Sequence, residues 1–144
     1  ECQMDYVKPH GALYHDLLHN ADTREGIFKA VALLNPKLKV MVLANVNTEA
    51  IKQTAQQFGL GLIFEAFADR RYLACGQLQD RNVQGSVLTE QDEIITQATA
   101  ISQGQAIISA EGKTLTITAD SLCVHGDNPD AIATLKAIKA ALNP

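Results

Sequence analysis

Short apolar runs alternate along this chain with stretches whose apolar residues recur every three or four positions. That alternation limits the fold more than any other feature. Tyr6-Val7 and residues 38–44, 61–66 and 121–125 read as buried strands, each too short for a helix. Between them lie helical stretches. Asp22 with Glu25 three residues later predicts a capping box, and Ile27, Val31 and Leu34 then share one face until Asn35-Pro36 ends the helix. Asn47 is placed to cap a second helix carrying Ile51, Ala55 and Phe58, which stops at Gly59. Thr89 with Asp92 opens a third, with Ile94, Ile95, Ala98 and Ile101 inward. Asn128-Pro129 opens the last, with Ile132, Leu135, Ile138 and Leu142 as its apolar stripe. Glu111-Gly112, between residues 106–109 and 114–118, is a hairpin signal. Strands separated by helices predict an α/β fold of parallel βα units with a small β-hairpin insertion, in a single domain over residues 1–144.

In parallel sheets of this kind, sites gather beyond the carboxyl ends of the strands. Three polar clusters follow predicted strands: Lys8 and His10; Glu65, Asp69 and Arg70; His125 and Asp127. The expectation is that they meet at one mouth. Glu65 follows four apolar residues, so its carboxylate is either paired, with Arg70 or Arg71 as the plain structural choice, or functional. Lys8 reads either as a solvated edge residue or as part of a site. Asp127 either caps the final helix or helps form an anion site at its N-terminus. Arg81 lies in the long polar stretch 69–85. It is either a solvated loop residue or a two-pronged clamp for a carboxylate or phosphate.

Two other motifs point elsewhere. His15-Asp16-Leu17-Leu18-His19 sets two histidines one helical turn apart, but Asp is a short base and no third zinc ligand follows. Gly112-Lys113-Thr114 echoes the end of a phosphate-binding loop, yet Ile107 stands where that loop needs glycine.

A net charge of -4 gives no reason to expect nucleic acid or an anionic membrane as partner. Nor does any apolar run reach the roughly 18 residues of a spanning helix. Cys2, Cys75 and Cys123 are odd in number and far apart. They read as small buried hydrophobes in a reducing cytoplasm rather than as a disulfide framework. The chain opens with Glu1 and reads as strand by Met4, so a further portion is expected upstream.

Three runs occur in order: Val7-Lys8-Pro9-His10-Gly11-Ala12-Leu13-Tyr14; Phe67-Ala68-Asp69-Arg70, with Tyr72, Arg81 and Gly85 after it; and Leu122-Cys123-Val124-His125-Gly126-Asp127. On these runs the chain, from Val7 to Leu142, resembles the LamB/YcsF family. Ala66 stands where Val is more usual, and Gln79-Asp80 precede Arg81 where Val-Pro is typical.

The resemblance implies the later βα units of an irregular β/α barrel similar to the glycoside hydrolase and deacetylase barrels. The family's Asp-rich first strand and further His motifs are not in this sequence. The activity implied is ATP-coupled opening of the lactam 5-oxoproline to glutamate by an A subunit working with B and C subunits. ATP with magnesium is the co-substrate, and the setting is the cytoplasm. Lys8, His10, Glu65, Asp69 and His125 would be catalytic, with Glu65 or Asp69 as base. Arg70, Arg81, Asp127 and Tyr14 would bind substrate. His10 and His125 would give protons to the leaving nitrogen or hold a metal of unknown identity. Unpaired strand edges imply self-association. A metal-dependent amide or ester hydrolase, and a carboxylate-binding subunit without chemistry, are the alternatives.

Overall fold

The parallel arrangement expected from the alternation is present. The computed structural model describes residues 4–45, 48–126 and 130–142. Its elements, in order, are β1 (Tyr6–Val7), α1 (Ala12–His19), α2 (Ala21–Leu34), β2 (Lys39–Leu43), α3 (Glu49–Gln57), β3 (Gly61–Phe67), α4 (Gln91–Ser102), β4 (Ala106–Ile108), β5 (Thr114–Thr116), β6 (Ser121–Cys123) and α5 (Ala131–Leu142). The chain divides into two compact units. One takes in residues 1–43 and 47–65, the other 44–46 and 66–144.

In the first unit, β1 pairs parallel with β2, and β2 parallel with β3. β2 is apolar on both faces because helices cover it, and Val40 and Val42 are fully buried. Leu17, Phe28, Val31, Leu38, Ile51 and Ala55 complete this core. Arg24 of α2 is buried and polar at once. Its guanidinium donates to the carbonyl of Leu17 at 3.1 Å and to Thr54 Oγ1 at 3.2 Å, tying α1 and α3 to α2. α3 ends where Gly59 takes φ 66, with Leu60 N–H donating to Ala55 O and Gly59 N–H to Gln56 O. Only glycine adopts that conformation without strain.

Several local expectations need correction. The segment 12–19 is a helix of its own. The next helix is capped by Asn20, whose side chain accepts from Thr23 N–H, and Asp22 lies in its first turn. Phe28 rather than Leu34 fills the core, and Leu34 is 67% exposed. The assigned cap of α4, Glu90, makes no side-chain cap bond, and Thr89 Oγ1 lies 3.5 Å from the Glu90 carboxylate instead. On α5, Ala131, Thr134 and Ile138 are buried, whereas Ile132 and Leu135 face out. Cys75 is exposed, not buried. Asn47, Asn128-Pro129 and Cys2 lie outside the described residues.

In the second unit, β6 lies beside the chain leaving β3, with Ala68 N–H donating to Cys123 O at 2.9 Å. α4 and α5 cover it through Ile94, Ala98 and Ile138. The hairpin is present as expected: β4 and β5 pair antiparallel, and Gly112 turns between them at φ 75. The long polar stretch folds on itself through bridges Arg70↔Val87 and Tyr72↔Leu78. Among the described residues, no helix is long and apolar enough to cross a membrane.

If Asn20 is the true cap of α2, Asn20→Ala should destabilise the chain by about 1 kcal/mol in urea unfolding, and Asp22→Ala by clearly less.

Candidate active site

Among the described residues, each unit holds a cluster of the polar side chains singled out from the sequence. In the first unit, β3 carries Glu65 two residues before its end, and that side chain is only 5% exposed. A carboxylate there needs compensation, and the chain supplies it from far away in sequence. Lys8 Nζ donates to Oε1 at 2.6 Å, and the Tyr14 hydroxyl donates to Oε2 at 2.9 Å. Lys8 also stands 5.6 Å from the centroid of the Tyr14 ring. Three residues singled out from the sequence therefore meet. The plain structural choice, Arg70 or Arg71, is not the one used, and Arg71 pairs with Glu93 at 3.5 Å. Lys8 precedes Pro9-His10-Gly11, and Gly11 takes φ 59 at the start of α1, which brings Tyr14 round. His10 is exposed.

In the second unit, Asp69 follows the last residue of β3 by two positions and is buried. Its carboxylate accepts from His125 backbone N–H at 2.8 Å and faces His125 Nδ1 at 2.9 and 3.0 Å. The His125 ring stacks on Phe67 with centroids 5.4 Å apart and keeps a quarter of its side-chain surface exposed. With Nδ1–H donating to Asp69, Nε2 is the ring nitrogen left to exchange a proton. Burial pushes the Asp69 carboxyl upward, but the hydrogen bonds from the His125 ring and backbone, with the imidazole's charge, outweigh it and hold it below its ordinary value.

Arg70 is buried as well. One of its terminal nitrogens donates to Gln79 O at 2.5 Å, while Nε has no partner among the described residues. Burial first, and then the charge of Arg81, lower its pKa. Arg81 itself is exposed. Asp127 lies outside the described residues. Among those described, no three His, Cys, Asp or Glu side chains converge to hold a metal ion. His15 and His19 sit on α1 with rings 4.6 Å apart.

Sequence reasoning gave no role to Tyr72 or Gln97. Tyr72 is fully buried, and its hydroxyl accepts from Phe67 N–H at 2.8 Å. A tyrosine two residues beyond an Asp-Arg pair is the only trace of this in the sequence.

A buried carboxylate against an imidazole, just beyond the end of a parallel strand, is an arrangement that can pass a proton. The chain belongs to the LamB/YcsF family, whose pattern matches residues 1–144. It is 44% identical over 141 residues to one of the 5-oxoprolinase A subunits of Pseudomonas aeruginosa, covering 98% of this chain and 56% of that protein. It is 42% identical over 141 residues to the 5-oxoprolinase A subunit of Vibrio cholerae, with the same coverage. The crystal structure of the lactam utilization protein from Thermus thermophilus matches at a TM-score of 0.83 and 32% identity, covering 97% of this chain and 54% of that one. The chain thus spans about half the length of these relatives.

A group whose folded pKa is depressed contributes stability above its unfolded pKa and loses it as pH falls through the folded one. Asp69→Asn should therefore cost about 1–3 kcal/mol in urea unfolding at pH 7. The gap to the parent should close as pH drops below the ordinary carboxylate range, because the parent then loses the same charge.

Proposed function

We propose that this chain serves the ATP-coupled opening of 5-oxoproline to glutamate, as part of an A-type subunit that works with B and C subunits and ATP–magnesium. The observation that carries this reading is the Asp69–His125 pair, with Nδ1 held by a buried carboxylate and the ring partly open. The names of the relatives support the lactam as substrate class.

A lactam carbon is a poor electrophile. Once the γ-phosphoryl group of ATP sits on the lactam oxygen, water can add to the ring carbon. Nε2 of His125 would take the proton from that water while Asp69 stabilises the imidazolium. Collapse of the adduct breaks the ring C–N bond, and the imidazolium returns its proton to the leaving nitrogen. The resulting acyl phosphate is then hydrolysed to glutamate and phosphate. Both oxygens of Asp69 engage His125, so Asp69 acts through the imidazole rather than as the base itself. Glu65 is held by Lys8 and Tyr14, and its role is to fix Lys8 for an anionic group of the substrate. Arg70 and Arg81 would serve the substrate carboxylate or phosphate in the same sense. His10 would serve as an additional proton donor.

In the enzyme assembled with B and C subunits, His125→Gln should lower kcat about 100-fold or more with KM little changed. Arg81→Ala should raise KM by an amount on the order of 2 kcal/mol. Full turnover by both His125→Gln and Asp69→Asn would instead leave a carboxylate-binding subunit without chemistry.

A further inference from the structure

The pair at Asp69 and His125 works only if the Asp69 carboxylate is held still, and that depends on the backbone where β3 ends. One side chain gathers that backbone. Gln97, on the inner side of α4, places its Nε2 within 3.0 Å of Phe67 O, 3.0 Å of Ala68 O and 2.9 Å of Arg70 O. An amide nitrogen has two hydrogens, so one of them is shared between two carbonyls. The remaining carbonyl, that of Asp69, accepts from Leu88 N–H at 2.8 Å. Phe67 N–H donates to the Tyr72 hydroxyl at 2.8 Å and Ala68 N–H to Cys123 O at 2.9 Å. Every carbonyl from residue 67 to residue 70 thus has a named donor, and three of the four share the same one.

Three carbonyls can face one point only if the chain turns sharply there. Three such dipoles pointing together repel one another unless a donor sits between them. A neutral amide fits. A glutamate would add a fourth negative end, and a leucine would leave the carbonyls without a partner.

We infer that Gln97 is a positioning residue for the Asp69–His125 pair, fixing the turn at residues 67–70 so that the Asp69 carboxylate meets both the ring and the backbone N–H of His125. This rests on the reading of that pair as the proton-transfer device. A plainer role, attachment of α4 to the strand end, predicts lost stability without a change at His125.

The two are separated by nitrogen-15 NMR of the full chain, comparing Gln97→Leu with the parent and with Asp69→Asn. In the parent, the His125 backbone N–H should exchange slowly, and its ring should show the Nδ1-protonated form. In Gln97→Leu, His125 amide exchange should quicken about tenfold or more, and the ring should drift toward the tautomer mixture of a free imidazole, as in Asp69→Asn. His10, His15 and His19 serve as internal controls and should not change. A folded Gln97→Leu variant with His125 signals like the parent's overturns the inference.

If that variant does not fold, the parent decides. Gln97 side-chain amide protons should exchange far more slowly than those of exposed Gln103, and equal rates overturn the inference. In the assembled enzyme, Gln97→Leu should lower kcat and leave KM. The NMR change with kcat intact would uphold the positioning role and sink the catalytic reading of the pair.

Discussion

A carboxylate taken out of water must be met by donors, and two such carboxylates lie in the longest buried run among the described residues. Glu65 stands two residues before the end of β3 and Asp69 two beyond it, in a run buried from Glu65 to Arg70. The burden is heavy, since an ionised group left unpaired in such a place is destabilising by several kcal/mol (~3 or more). Each is answered by residues far away in sequence. Lys8 and Tyr14 come from before and within α1 to reach Glu65. His125 comes from beyond β6 to reach Asp69. The geometry of each cluster follows from this need.

The long stretch after Asp69 is built to the same end. It looks like a loop, yet its backbone is tied at many points. Arg71 N–H donates to Ser86 O, Gln79 N–H to Arg71 O, and Ala110 N–H to Tyr72 O. Glu111, at the turn of the hairpin, accepts from Ala74 N–H at 2.8 Å. Tyr72 reaches back with its hydroxyl to the last residue of β3. An irregular segment fixed in this way can hold a buried arginine and a buried aspartate side by side without freedom to relax.

The periodicity made most of the elements legible. Strand and helix order, the hairpin at Glu111-Gly112 and the stop at Gly59 follow from local chemistry, because turns and helix ends are decided by a few neighbouring residues. The faces of the helices were harder to read. On α2, Phe28 and Arg24 turn inward with Val31, Ile27 packs against that core as expected, and Leu34 faces out. On α5, Ala131 and Thr134 displace Ile132 and Leu135. An apolar stripe gives a helix a preferred side to within some tens of degrees, and packing against neighbouring elements chooses the final angle. The capping of α2 shifted for a like reason: Asn20 stands between two helices, and a separate α1 was not foreseen.

The sequence alone singled out the polar residues near the strand ends: Lys8, Asp69, Arg70 and His125 follow strands, whereas Glu65 lies within β3, two residues before its end. This is legible because alternation fixes where strands end, and a charged residue after an apolar run stands out against its surroundings. Who pairs with whom was decided only in three dimensions. Lys8 rather than an arginine answers Glu65 across 57 positions, and His125 meets Asp69 across 56. Gln97, an ordinary-looking helix residue, gathers three carbonyls from about thirty positions away. Such contacts depend on which strand lies beside which and on how each helix is turned. Those are properties of the packed chain, and no local pattern encodes them.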